Sequence, residues 1–244
     1  MSKFVLLNAR LFAVAADLTG ASNKIELTAE IEEKETTNYA SNGWSEKLGG
    51  LASAEISGEG QWEAGDPSLV DNASWAQLGG VGPWTVCPAG AAVGDLAYLT
   101  TAMRSNYTQG ESVGAVAPWS GTAKSSWPLV RGQIGHPNGT ARTSTGTGTG
   151  VQLGAVAAGK RLYAALHVLS VSGTTPSITA RIESDDSNGF PSPTTQLTFT
   201  ATGAVGGEAL RTSGSAITDT WYRVAWTISG TTPSFLFATS FGIR

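Results

Sequence analysis

The residues of this sequence that could perform chemistry are few. His136 lies in a polar stretch, whereas His167 alternates with apolar residues in a run typical of a β-strand. A two-histidine metal site would need a long-range coincidence, so we interpret His167 as a packed or partly exposed strand residue. The single cysteine, Cys87, has an apolar setting, in which a thiol usually behaves as a small hydrophobe rather than a nucleophile.

Carboxylate pairs are also poorly placed for catalysis. Glu55, Glu59 and Glu63 recur four residues apart, which along one strand separates successive backbones by about 13 Å. Glycosidases use shorter spacings, although cross-strand partners could come closer. The acidic turn at 185–189 lacks the spaced acids of an EF-hand. No nucleophile elbow, phosphate loop or dinucleotide fingerprint is present, so we predict that the chain is not an enzyme and uses no metal or cofactor.

Composition excludes further classes of function. Charged residues make up 14% of the 244 residues and the formal net charge is -4, which is unlike a nucleic-acid-binding surface or a charged disordered tail. One cysteine permits no internal disulfide, which suits synthesis in a reducing cytoplasm. The fold must therefore be held by packing and strand pairing.

The elements that would position a site are β-strands. In residues 24–32, the odd-numbered positions are apolar and include Ile25, Leu27 and Ile31. The even-numbered positions are polar, and most of them are glutamates. Residues 52–63 repeat this alternation, again with an acidic polar face. A period of two predicts half-buried strands with one apolar face.

The segment between these strands, residues 36–50, predicts a long protruding loop. Turn formers such as Asn38 and Asn42 are frequent in it. It also carries Tyr39 and Trp44, large side chains that a free loop tip seldom needs, which indicates a partner surface. The alternative, that both fold back onto the sheet, is equally consistent with the sequence.

One helix is predicted after the second strand. Asp66 can cap it, Pro67 suits its first position and Gly79 can end it. Its apolar stripe would be Leu69, Ala73 and Ala76, and Trp75 and Leu78 fall off that stripe.

A change of composition predicts a division of the chain. Residues 1–135 form the first unit, the Gly/Thr-rich stretch 136–150 a linker or surface loop, and residues 151–244 a second β-rich unit. Turn signals such as Ser172-Gly173 and Ser229-Gly230 divide this second unit into the short strands of a sandwich. The predicted strands are Lys160–Val171, Pro176–Glu183, Thr194–Ala201, Trp221–Ser229 and Ser234–Gly242.

The chain resembles the major tail tube proteins of long-tailed, siphovirus-type bacteriophages. Residues 17–66 match the family's order of an opening strand, a long strand, a loop, a returning strand and a helix. The segments WPLVRGQI and ITDTWYRVAWTISGTTPSFLFATSFGI resemble those of actinophage major tail proteins. The resemblance implies a tail-tube-type β-sandwich or barrel with one flanking helix, followed by a second sandwich-like unit.

It also implies a function and partners. Subunits would form rings of six, or of three with pseudo-sixfold symmetry, stacked into a tube in the virion tail after assembly in the host cytoplasm. Expected partners are the tape measure protein, the tail terminator and the distal tail protein, while genomic DNA would pass through without specific binding. Asn38, Tyr39 and Trp44 would anchor the ring-stacking loop. The glutamates expected to line the lumen and repel phosphates are Glu26, Glu30, Glu32, Glu55, Glu59 and Glu63.

Three alternatives remain open at this stage. The acidic strand faces could be a solvated outer surface rather than a lumen. A capsid decoration protein would share the β-rich, cysteine-poor character. A carbohydrate-binding β-sandwich could use tryptophans as sugar platforms, although Trp62, Trp221 and Trp226 fall on alternating strands and fit a core better.

Overall fold

The computed structural model describes residues 6–65 and 69–244 and is mainly β, with 57% of residues in strands. This confirms the predicted fold class. The elements of the first half are β1 (Arg10–Ala13), β2 (Ala16–Asp17), β3 (Ser22–Glu35), β4 (Lys47–Gln61), α1 (Val70–Gln77), β5 (Val81–Cys87), β6 (Leu96–Arg104), β7 (Pro118–Ser125) and β8 (Val130–His136). Those of the second half are β9 (Gly146–Thr147), β10 (Val151–Gln152), β11 (Leu162–Asp185), β12 (Thr194–Thr198), β13 (Gly206–Arg211) and β14 (Trp221–Ile243).

Five strands of the first half form one antiparallel layer in the order β5-β6-β7-β4-β3. Their inner faces carry Ile56, Trp84 and Trp119, and α1 and β1 cover them with Val70 and Leu11. An aliphatic side chain such as Ile56 stabilises the fold by about 1.5–3 kcal/mol when fully buried. The predicted alternation therefore places the apolar parity in a core and leaves the polar parity on the other side of the layer.

The helix predicted from the sequence is present as α1. It begins after Leu69 and ends at Gln77, and Gly79 follows in the left-handed region with φ 75°. This is the conformation that glycine supplies at a helix C-terminus. The predicted cap and first position, Asp66 and Pro67, lie outside the described residues.

The second half is built on one long ribbon that folds over itself. β11 and β14 pair from Leu162 with Ile243 to Asp185 with Trp221. Both halves of the ribbon contribute to a single core cluster, for example Leu166 on one side and Ile182 on the other. The prediction of separate short strands was therefore wrong here, because each pair of predicted strands continues through its turn signal.

The crease of the ribbon is a repeated hexapeptide. The sequence SGTTPS occurs at Ser172–Ser177 and again at Ser229–Ser234, and the two copies oppose each other in antiparallel register. Gly173 and Gly230 have φ values of 115° and 116°. A Cβ on Gly173 would lie 2.7 Å from the Thr232 carbonyl oxygen, and one on Gly230 would lie 2.8 Å from that of Thr175. Glycine is therefore required on both strands, with pseudo-twofold symmetry.

The Gly/Thr-rich stretch runs alongside β14 of this ribbon. His136 ends β8 and is 1% exposed, Arg142 bridges to Phe235, and β9 pairs with β14. The placement of His136 in a polar linker was wrong, because the chain is still in a sheet there. The division into two domains stays a prediction; β8 joins both halves by pairing with β6 and with β14.

Candidate assembly surface

The polar side of the β3-β4-β7 layer forms one continuous exposed face. Register places Thr28 opposite Glu55 and Glu55 opposite Lys124, so the three side chains share this side. We call this surface the open face. It carries four glutamates and two lysines, which are Glu26, Glu30, Glu55, Glu59, Lys24 and Lys124.

The charges of the open face are only partly compensated. Lys24 Nζ lies 3.0 Å from Glu59 and 3.4 Å from Glu26, and these two carboxylates raise the pKa of Lys24. Lys124 stands opposite Glu55 in the register. The face keeps an excess of negative charge, and such a surface repels phosphate groups.

Two of the six glutamates predicted to act together are set apart from the others. Glu32 lies at a bulge, where the register shifts after Ile31, and it pairs with Lys34. Glu63 lies beyond the end of β4, and its backbone oxygen accepts a hydrogen bond of 3.1 Å from the Asp71 amide. The strand periodicity identified four members of the face, and it failed where the regular strand is interrupted or ends.

The outer part of the β3-β4 hairpin leaves the sheet. β7 accompanies β4 only as far as Glu55, and the Ser125 hydroxyl then accepts a hydrogen bond of 2.8 Å from the Ala54 amide. We call residues 31–52 the arm. Every arm residue except Ser41 is exposed. They include large apolar side chains on both strands, namely Ile31, Leu48 and Leu51.

The tip of the arm is ordered by local hydrogen bonds. Asn38 caps a short 3-10 turn, in which its side chain accepts from the Ala40 amide at 2.9 Å and Ser41 Oγ accepts from the Asn38 amide at 3.2 Å. Tyr39 and Trp44 are 108% and 80% exposed. The alternative that they fold back onto the sheet is therefore wrong. Two aromatic side chains are held out in solvent.

His167 belongs to the buried joint between the two halves. Its Nδ1 lies 2.9 Å from the Val14 carbonyl oxygen and its Nε2 lies 2.8 Å from Thr85 Oγ1, which contacts Ser240 Oγ at 3.1 Å. Because a carbonyl can only accept, Nδ1 carries the proton and Nε2 accepts from Thr85. Burial lowers the pKa of His167 to about 4. These hydrogen bonds hold β11 against the first half of the chain, and the His167 ring is buried away from solvent.

His136 is held in a similar neutral state. Its Nδ1 lies 3.1 Å from the Phe237 carbonyl oxygen, and Arg142 Nε donates to its Nε2 at 3.1 Å. The ring stacks on Phe237 with centroids 4.1 Å apart and meets Trp226 edge-on. Burial lowers the pKa of His136 to about 4. Both histidines are therefore core residues.

In the acidic turn at 185–189, the Asp185 carboxylate accepts hydrogen bonds from backbone amides. Asp185 is 3% exposed and accepts hydrogen bonds of 3.0 Å from the Ser187 amide and 2.9 Å from the Ser192 amide. Desolvation raises the pKa of Asp185, but the hydrogen bonds that its carboxylate accepts outweigh this effect and lower the pKa overall. No cluster of three His, Cys, Asp or Glu that could hold a metal occurs among residues 6–65 and 69–244. In the same described ranges, no helix is long and apolar enough to cross a membrane.

Two of the three tryptophans named as possible sugar platforms, Trp62 and Trp226, make contacts within the fold. Trp226 is 3% exposed. The indole N–H of Trp62 lies 2.9 Å from the Tyr107 hydroxyl and 3.2 Å from Asp71. The exposed tryptophan outside the arm is instead Trp75, which the sequence marked only by its position off the helix stripe.

Comparisons with known proteins find fold resemblances to phage-like tails. No family model and no curated protein matches the chain. The tail of an empty gene transfer agent particle with C6 symmetry has a TM-score of 0.38 at 20% identity, over 50% of this chain and 92% of that chain. The SPP1 Dit protein, described as part of a hub adsorption apparatus, has a TM-score of 0.37 at 10% identity, over 97% of this chain and 99% of that chain. Resemblances this weak carry no argument about function.

Proposed function

We propose that this chain is a structural virion protein that polymerises as stacked rings into a phage tail tube, the conduit for DNA delivery. The observation that carries the proposal is the arm. A two-stranded ribbon that leaves its sheet and exposes both faces is marginally stable alone. Its two edges pair with no other described strand, and together with the exposed aromatics they form a surface that another copy can cover.

The open face supports the conduit in particular. If β3, β4 and β7 line the lumen, the excess of glutamates faces the DNA and weakens contacts with its phosphates. The edge of β3 that pairs with no other described strand would pair with a neighbouring subunit, so that ring closure removes an exposed edge. Six subunits, or three with pseudo-sixfold symmetry, are the proposed stoichiometries, with the tape measure, terminator and distal tail proteins at the tube's interior and ends.

Electron microscopy of the purified protein over a concentration series tests the proposal. We expect hollow rings or tubes with a central channel. A variant in which Tyr39 and Trp44 are both replaced by serine should stay monomeric at concentrations where the unaltered chain assembles. Val113→Ser, in a fully exposed loop position, is the matched control. Monodisperse particles without a channel at every concentration would contradict the proposal and favour a capsid decoration protein.

The direction of the open face is tested in the same assemblies. Thr28→Cys places a thiol in the middle of that face. After assembly, a lumen position should react with a small maleimide but not with one attached to a large protein. Reaction with both at equal rates would place the acidic face on the outside.

A further inference from the structure

An exposed apolar patch lies at the C-terminal end of α1. Trp75 on α1 is 66% exposed and Leu78, just after the helix, is 42% exposed. Tyr107 supports the Trp75 indole edge-on, with ring centroids 5.8 Å apart and an interplanar angle of 85°. The Tyr107 hydroxyl donates to Asp71 and accepts from Trp62. The indole is therefore positioned by the fold although most of it faces solvent.

This patch and the arm tip lie at opposite ends of the β3-β4 hairpin. Trp62 directly follows β4 and is bonded to Tyr107, so Trp75 lies near the base of the hairpin, whereas Trp44 lies at its turn. β4 has 15 residues, which at the strand rise is about 50 Å. A tip cannot reach Trp75 of its own chain, but it can reach that of a copy displaced along the hairpin.

The two surfaces are chemically matched. The tip, residues 36–45, contains no charged residue and presents Tyr39 and Trp44. The helix end presents Trp75 and Leu78. Aromatic and aliphatic side chains without charges are typical of the centre of a protein interface. The glutamates of the open face lie between these two ends and stay outside such a contact.

We infer that the arm tip of one copy docks onto the Trp75–Leu78 patch of the next copy. This inference rests on the proposed self-assembly and specifies its axial contact. The two surfaces differ, so the contact is heterologous and repeats in one direction, building a stack rather than a closed dimer.

Cross-linking between two separately labelled chains tests the inference. One chain carries Ser45→Cys beside the tip aromatics and the other carries Asn72→Cys, one turn before Trp75; both positions are exposed. The native Cys87 is fully buried and burial raises its pKa to about 12, so it stays unreactive toward a short bismaleimide. We expect the cross-linked pair to form from the mixture in proportion to assembly.

The matched control replaces Asn72→Cys with Ser229→Cys, an exposed position on the ribbon crease, which should give no specific pair. Trp75→Ser should raise the concentration needed for assembly by about tenfold or more, as truncation of a central interface aromatic does. Assemblies that form normally while the tip cross-links no better to position 72 than to position 229 would overturn the docking inference alone. Absence of any assembly by electron microscopy would overturn the proposed function and this inference with it.

Discussion

Replacing Arg104 by methionine is expected to stabilise the protein. The Arg104 side chain is fully buried on the inner side of β6, and none of its three nitrogens has a hydrogen-bond partner among the described residues. Its Cζ lies 5.4 Å from the ring centroid of Trp119 and 5.8 Å from that of Trp84. A Cβ on Gly121 would collide with the guanidinium, so the absence of a side chain at Gly121 leaves room for Arg104.

The magnitude follows from opposing terms. Burial lowers the pKa of Arg104 from 12.5 to about 10, which corresponds to roughly 3 kcal/mol against the charged form in the folded state. The two indole centroids lie near the outer limit of about 6 Å for a cation–π contact, so together they offset only on the order of 1 kcal/mol of this cost. Methionine removes the charge, and its sulfur also packs well on aromatic rings. Exchanges of buried ionic groups for apolar ones of similar volume have stabilised proteins by about 1–4 kcal/mol, and we expect about 1–3 kcal/mol here.

Urea unfolding followed by tryptophan fluorescence measures the effect. Arg104→Lys is the control, since it keeps the charge but loses the planar stack, and it should lower the free energy of unfolding. Because the penalty applies only while the folded-state arginine is charged, the advantage of methionine should shrink above pH 10. A loss of more than about 1 kcal/mol in Arg104→Met at pH 7 would refute the reasoning. It would mean that bound water or another acceptor compensates the guanidinium.

Two further outcomes follow from the core. Folded-state pKa values of about 4 for His136 and His167, against the usual 6.5, mean that the free energy of unfolding is constant above pH 6.5 and falls below it; each histidine removes about 3 kcal/mol by pH 4. Urea titrations between pH 7 and 4 should show this loss, and a His167→Gln variant should show about half of it; an unchanged midpoint at pH 4 would contradict the assignment. Alanine at Gly173 or Gly230 should cost about 2 kcal/mol or more, because of the positive φ and the backbone contact. Gly206→Ala, with no atom near its missing Cβ, should change stability by less than about 0.5 kcal/mol, and similar losses at all three sites would exclude the crease as the cause.

Local periodicity predicted the parts of the fold that depend on neighbouring residues. The alternation around Ile25 and Ile56 specified the β3-β4 hairpin and its acidic side, because a shift of one residue would bury the glutamates. The turn formers between the strands predicted the arm tip. Its exposure could not be predicted, since whether Tyr39 and Trp44 fold back depends on how far β7 accompanies β4.

Other features depend on contacts between distant segments and had no local signal. His167 meets Thr85 and Ser240 only because β11, β5 and β14 are brought together by the topology. The ribbon crease did have a signal, the exact repeat of SGTTPS, but each copy also has the composition of a turn. The crease can be told from two separate turns only because Ser172–Ser177 and Ser229–Ser234 pair with each other across the ribbon.

The joint between the two halves and the arm differ in how firmly hydrogen bonds hold them, and this difference predicts which part changes on assembly. The joint between the halves is fixed by buried hydrogen bonds such as that of His167. Among the residues that the structure describes, the backbone of the arm pairs only between its own two strands. A ribbon of this kind contributes little to the stability of an isolated subunit. Docking on a neighbour would then stabilise the arm against local opening, so the arm should gain protection from hydrogen exchange on assembly while the core remains unchanged. If the arm were equally protected from hydrogen exchange in monomers and in assemblies, the arm would not take part in the contact between copies.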